Sequence, residues 1–282
     1  MDLRVETGAV ARPWVVVRVA GPDAVAYLQG QLSQDVAALA PGETAWSLLL
    51  EPTGKTCAWL RVTRTDDDVV VLDAPGPDPE PVRARLARFL LRTEAEVEVL
   101  DWKAVAVRGP GSPVGAVPGA ALVLDCGWPG AVGVDLLGPD PRPEGIAPAD
   151  PGDLEALRIA AGVPLLGAEV TPETIPAELG AWLVERSVSF AKGCYTGQEL
   201  VARIDSRGGQ VPRPVRALVM VPAVVPPVGS VVARDAAVAG EGEQVGVVTS
   251  SAPSARWGAV ALARLARAVE PGTEVEVRWS DG

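Results

Sequence analysis

Apolar and polar residues alternate along the chain in blocks that define its elements. Residues 14–19 form an apolar run interrupted only by Arg18, which reads as a strand and leads to a turn at Gly21. Pro22 suits the first position of a helix, and Val25, Leu28, Leu32 and Val36 recur at helical spacing. The pattern predicts a helix with one buried face, ending before Pro41-Gly42. Residues 44–50 and 56–63 are two more apolar runs, separated by Glu51-Pro52-Thr53-Gly54-Lys55, and read as a β-hairpin with a five-residue loop. The aspartates at 66–68 make a turn before a strand at 69–72; nothing near them has calcium-loop spacing, and they are assigned no chemistry.

Residues 81–91 read as an amphipathic helix, with strands at 97–99 and 104–107. Two stretches rich in Pro and Gly, 75–81 and 138–151, read as surface connections because proline removes backbone donors from a ladder, and the second marks a subdomain junction. A helix is expected at 153–161 and a short strand at 188–190. Beyond Arg213 the texture changes to short valine-rich runs at 215–221, 228–233, 244–249, 259–263 and 275–278, the pattern of a small β-barrel or sandwich. The irregular mixture of strands and helices before it favours an α+β fold over an alternating parallel sheet. A chain of 282 residues suits about two domains, and the change of texture places them at 1–210 and 211–282.

Charge and composition then narrow the chemistry. Thirty-six acidic residues against 25 basic ones give a net charge of −11, so direct nucleic-acid binding is not expected. Residues 1–10 lack a basic patch followed by an apolar stretch, and no apolar run approaches the roughly 20 residues of a bilayer-spanning helix, so a cytoplasmic protein without membrane association is expected. Cys57, Cys126 and Cys194 lie far apart and cannot all pair, which fits a reducing compartment. Histidine is absent, which removes Ser-His and Cys-His nucleophile pairs and most catalytic zinc sites; no metal site is assigned. Three cysteines fall short of the four thiolates that usually hold a cluster, so any iron–sulfur cluster involved is expected to belong to a partner.

Gly54-Lys55-Thr56 lacks the earlier glycine of a phosphate-binding loop, since position 49 is Leu49, and Gly109, Gly111 and Gly115 fail dinucleotide spacing. The informative segment is Lys192-Gly193-Cys194-Tyr195-Thr196-Gly197-Gln198-Glu199. Thr196 and Glu199 have capping-box spacing, which predicts a helix starting at Gly197. Cys194 would then precede a helix amino terminus with Lys192 close by, and both features favour thiolate; the alternative is a small buried cysteine between glycines that only permit a bend. Lys192, Arg203, Arg207, Arg213 and Arg216 outnumber Glu199 and Asp205 in this region. Arg203 and Arg207, four apart, are candidates to grip an anionic ligand or to form a solvated face.

That octapeptide resembles the signature of the YgfZ family, folate-binding relatives of the glycine-cleavage T-protein. The resemblance extends through residues 21–36, 157–164, Ile175-Pro176-Ala177-Glu178 and 245–251. It implies a T-protein-like fold, with two intertwined α/β subdomains around a central cavity and a carboxy-terminal β-barrel. It also implies tetrahydrofolate as cofactor, with Trp14, Glu178, Tyr195, Gln198, Arg203 and Arg207 as cofactor-binding residues and Cys194 and Lys192 as the reactive pair. The family role is support of iron–sulfur enzymes, tRNA-modifying enzymes among them, which makes those enzymes the implied partners.

The competing reading is aminomethyl transfer to tetrahydrofolate in glycine cleavage. The transferase has an Asp-Asp pair after its hairpin, and the matching positions here are Ala58 and Trp59, neither able to replace a carboxylate. Its pterin-contacting Glu corresponds to Ala160, and Leu154 stands where a second stacking aromatic is expected. A third reading is a folate-storing or purely structural binding protein.

Overall fold

The computed structural model describes residues 3–234 and 242–280. The amino-terminal half runs β1 (Gly8–Arg12), β2 (Trp14–Ala20), α1 (Ala24–Gln31), β3 (Thr44–Leu50), β4 (Thr56–Asp66), β5 (Val69–Pro75) and α2 (Glu80–Ala87). It continues with β6 (Glu96–Val99), β7 (Lys103–Arg108), β8 (Leu122–Asp125) and β9 (Gly133–Gly138). Three helices follow, α3 (Pro151–Ala160), α4 (Ala181–Ser187) and α5 (Gln198–Asp205), and then β10 (Val215–Val219), β11 (Val231–Arg234), β12 (Glu243–Ser254), β13 (Gly258–Leu265) and β14 (Glu276–Arg278).

The first sheet has the order β3-β4-β5-β2-β6, all antiparallel. Its strands read as apolar runs because both faces are covered. Leu49, Ala58, Leu60, Leu72, Val15 and Val17 point to α1 and α2, meeting Leu28, Val82 and Leu86. Trp46, Leu48, Leu50 and Trp59 point the other way, to Leu154 and Leu157 of α3, Leu183 of α4, and Tyr195 and Val201. The second sheet, β1-β7-β9-β8, packs on that second face through Val10 and Ala106.

A polar seam crosses this apolar interface. Trp46, Arg61, Asp73 and Val16 occupy one row of the first sheet. Arg61 is 1% exposed; it donates to Asp73 Oδ1 of its own sheet at 2.6 and 3.0 Å and to Asp135 Oδ2 of the second sheet at 3.0 Å. Arg108 completes the seam by donating to Asp135 Oδ1 at 2.8 Å. Burial pushes the Asp73 carboxyl up, against the pull of Arg61. Burial acts on Asp135 in the same sense, but there Arg108 and Arg61 together outweigh it and hold the carboxyl below its ordinary value.

The strands beyond Arg213 form a sheet of their own, β10-β13-β12-β11-β14. Among the described residues its ladder does not close, so it is an open five-stranded antiparallel sheet where a barrel was expected. Ala252, Val260 and Leu262 of this sheet pack on Ala156 and Ile159 of α3. A buried carboxylate, Glu169, fastens the junction: it accepts from Thr249 Oγ1 at 2.6 Å, Ser250 Oγ at 2.7 Å and Arg158 Nη1 at 3.2 Å.

Several boundaries differ from the sequence pattern for identifiable reasons. The helix expected to run to Val36 stops at Gln31; Val36 is buried from an irregular segment whose carbonyls are bonded by another part of the chain. Residues 188–190 form no strand, because the Val188 amide closes α4 on Val184 O and the Ser189 amide bonds Ser33 O. The helix expected over 81–91 ends at Ala87, leaving Leu91 exposed, and Pro151 begins α3 with Asp150 capping the Gly152 amide at 2.7 Å.

Removing Arg61 leaves two carboxylates buried without their shared cation. Arg61→Met is expected to cost about 3–5 kcal/mol of folding stability, measured by urea denaturation. A loss under about 1 kcal/mol would show that the seam does not hold the sheets together.

Candidate functional site

The carboxyl end of α1 leaves carbonyls without helical partners, as every helix does. The signature segment satisfies them. Lys192 Nζ donates to Gln29 O at 2.5 Å, Leu32 O at 2.7 Å and Gln34 O at 3.1 Å, and the Thr196 amide donates to Gly30 O at 3.0 Å. An ammonium has three protons, so all three are in use. Burial draws the Lys192 pKa down to about 8, while Asp35 acts to raise it. Lys192 therefore faces a set of carbonyls rather than a ligand cavity, with its ammonium 5.1 Å from the centre of the Tyr195 ring.

The other end of the segment is fixed by the β3–β4 hairpin. Gly197 takes a φ of 84°, and a Cβ there would come within 2.5 Å of Glu51 O; one on Gly54 would meet Leu200 Cβ at 2.4 Å. Hairpin tip and helix start thus touch through backbone, which requires glycine on both sides. The expected capping box between Thr196 and Glu199 is absent, because the Thr196 amide and hydroxyl are turned to α1. Gln198 takes over the role one residue earlier: its Oε1 accepts from the Tyr195 amide at 3.1 Å, and the helix begins at Gln198 with Gly197 as its cap.

Between these two anchors Cys194 is exposed. The other thiols differ. Cys57 is half-buried, and burial, with Glu51 adding to it, pushes its pKa up to about 11; Cys126 is buried and likewise pushed up.

The residues proposed for a cofactor fall in four places. Tyr195, buried, and Gln198 belong to the Cys194 turn; burial pushes the Tyr195 phenol to about 12. Glu178 sits at the junction with the carboxy-terminal sheet, paired with Arg264 at 3.1 Å. Arg203, at the end of α5, and Arg207, beyond it, are exposed and make no ion pair among the described residues. Trp14 lies in the polar seam, donating from Nε1 to Asp73 Oδ1 at 2.9 Å.

Around Trp14 the structure adds groups that the sequence reading did not single out. The Arg12 guanidinium lies 5.3 Å from the Trp14 ring and 5.9 Å from that of Trp128. Arg12 Nη1, Asp73 Oδ2 and Arg108 Nε are buried without hydrogen-bond partners. An indole face beside a spare donor and a spare acceptor fits, in kind, a flat heterocycle with hydrogen-bonding edges such as a pterin. The signal in the sequence is a charge at 61 and another at 73 within or next to apolar runs, since such charges are rarely buried unless paired.

Ala58 and Trp59 are both packed in the interior. Ala58 is fully buried. Trp59 stacks on Trp46 at 3.9 Å between ring centres, meets Trp182 edge-on at 5.6 Å, and donates to Ser187 Oγ at 2.9 Å. Leu154 and Ala160 pack in the same apolar cluster.

No family model matches the chain. An uncharacterized protein of Haemophilus influenzae is 31% identical over 194 residues, covering 68% of this chain and 66% of the relative. The tRNA-modifying protein YgfZ of Edwardsiella ictaluri is 28% identical over 239 residues, covering 69% and 66%. The aminomethyltransferase of Rubrobacter xylanophilus is 29% identical over 291 residues, covering 92% and 75%. A crystal structure of glycine cleavage system aminomethyltransferase T from Bartonella henselae superposes with a TM-score of 0.76 at 21% identity, over 99% of this chain and 83% of that one. The fold is thus that of the T-protein class, built of mixed helices and sheets. Within that class the chain is similar to the YgfZ family, and its alignment spans about two thirds of the length of the first two relatives.

Iodoacetamide at pH 8 is expected to modify Cys194 and spare Cys57 and Cys126, as read by peptide mass spectrometry. Cys57 should become reactive only as the pH approaches about 11. Equal labelling of Cys57 at pH 8 would contradict the burial described.

Proposed function

We propose that this protein is a folate-binding accessory factor that supports assembly or repair of iron–sulfur enzymes in the cytoplasm, tRNA-modifying enzymes among them, with Cys194 as its reacting group. The observation that carries the reading is the exposed Cys194 thiol on a turn anchored at both ends, in a chain that has Ala58 and Trp59 at the transferase's acidic positions. Three cysteines on separate elements give no cluster cage, which assigns the cluster to the client enzyme. The folate module is taken as residues 1–210 and the following sheet as a second domain, 211–282.

Trp14, with Arg12 and Asp73, would hold the pterin ring, and Arg203 and Arg207 supply positive charge for the carboxylate tail. Tetrahydrofolate, when bound, supplies a carrier of one-carbon groups. The chain's own contributions are a ring face, a spare buried donor and acceptor, and a fixed thiol. Lys192 enters as the tether of that thiol, which its three carbonyl bonds support better than a direct chemical role. Glu178 contributes through the junction with Arg264 rather than by contact with the ring.

The aminomethyltransferase reading is favoured by the relative that aligns with 92% of the chain. It requires a carboxylate where Trp59 is buried against Trp46. Turnover of an aminomethylated lipoyl protein by the purified chain would establish it.

Calorimetric titration with tetrahydrofolate is expected to show binding, weakened about tenfold by Trp14→Ala. Cys194→Ala should keep the stability within about 0.5 kcal/mol and bind tetrahydrofolate unchanged. In cells lacking this protein it should fail to restore a cluster-dependent tRNA-modifying activity. Full restoration by Cys194→Ala would remove the cysteine from the mechanism.

A further inference from the structure

The segment that carries Cys194 also frames a hollow of about 260 Å³ between α4 and α5. Its apolar lining comes from Val184 of α4, Val201 and Ile204 of α5, and Phe190, which is 55% exposed although it is one of only two phenylalanines in the chain. The volume is below the roughly 300–1,000 Å³ of small-molecule sites, which suits anchoring side chains of a peptide better than a cofactor.

Two carboxylates, Glu185 and Asp205, also line it. Each stands in the last turn of its helix, where the carbonyl ends already make the potential negative and an acidic side chain is disfavoured. Neither has an ion-pair partner among the described residues, whereas Glu80, Glu98 and Glu276 on other surfaces are paired with Arg83, Arg18 and Arg278. Arg203 and Arg207 do not line the hollow. The result is an apolar floor edged by two carboxylates without ion-pair partners, with Phe190 four residues along the chain from an exposed thiol.

We infer that this hollow is a docking site for a basic segment of the client enzyme that carries an apolar anchor, seated so that the client lies beside Cys194. The inference rests on the accessory-factor reading and names the chemistry of its partner. Enzymes that act on tRNA carry lysine- and arginine-rich surfaces to neutralise phosphates. An acidic chain of net charge −11 is complementary to such a surface, and the two carboxylates would repel the RNA itself.

The test uses the full chain and two short fluorescein-labelled peptides with the same leucine and phenylalanine anchors, one with lysines and one with glutamates between them. Fluorescence anisotropy should show the lysine peptide binding, more weakly as salt rises, and the glutamate peptide not binding. The double variant Glu185→Lys/Asp205→Lys should weaken that binding at least tenfold, and Cys194→Ala should leave it unchanged. Continued protection of Cys57 and Cys126 from iodoacetamide at pH 8 in the double variant verifies that it is folded. Failure of the lysine peptide to bind at millimolar concentration, equal binding by the double variant, or tighter binding of free tRNA than of the peptide would each overturn the docking site. In cells lacking the protein, the double variant should lose rescue. Full rescue by the double variant with none by Cys194→Ala would overturn the docking site alone, whereas full rescue by Cys194→Ala would overturn the accessory-factor reading at its cysteine.

Discussion

Arg61 is the cation that two sheets share. Asp73 on one sheet and Asp135 on the other lie in an interface otherwise made of tryptophan, leucine and valine, and neither carboxylate tolerates that interior alone. The guanidinium plane reaches both because it presents several donors in a fixed fork. Its face also lies 5.3 Å from Trp46 and 5.4 Å from Trp14, so the indoles around it are positioned by the same group. The place of Trp14, and with it the proposed ring-binding corner, follows from this one buried charge.

The same interface buries Trp46 and Trp59. The stack of Trp46 on Trp59 fills space with hydrocarbon, and the Ser187 hydroxyl satisfies the indole N–H from within. What remains exposed is a sulfur, held by contacts that are themselves internal: an ammonium buried in three carbonyls on one side and two glycines pressed together on the other.

The hairpin of β3 and β4 was legible because apolar runs and a Pro-Gly loop are local signals, and the strand bounds agree within a few residues. The signature segment was legible as a turn leading into a helix. Its bonding was not, since Lys192 contacts residues 158 to 163 positions away and sequence spacing carries no information about such partners. Arg61 and Asp73 were hidden for a related reason. A charge within an apolar run is equally consistent with an exposed edge, and only the second sheet reveals that both are buried. The pairing of Glu178 with Arg264, on a strand of the carboxy-terminal sheet, was hidden in the same way.

Glu169 has a wider meaning for how the molecule can change. One carboxylate accepts from a helix arginine and from two hydroxyls of the terminal sheet, so neither side of the joint is complete without the other. Exchanging that sheet for a foreign module would leave one buried carboxylate oxygen without its two hydroxyl donors, with only the other still held by Arg158. Swaps between relatives should therefore succeed only when the threonine and serine of the incoming strand travel with it, making this joint a unit of inheritance rather than a hinge.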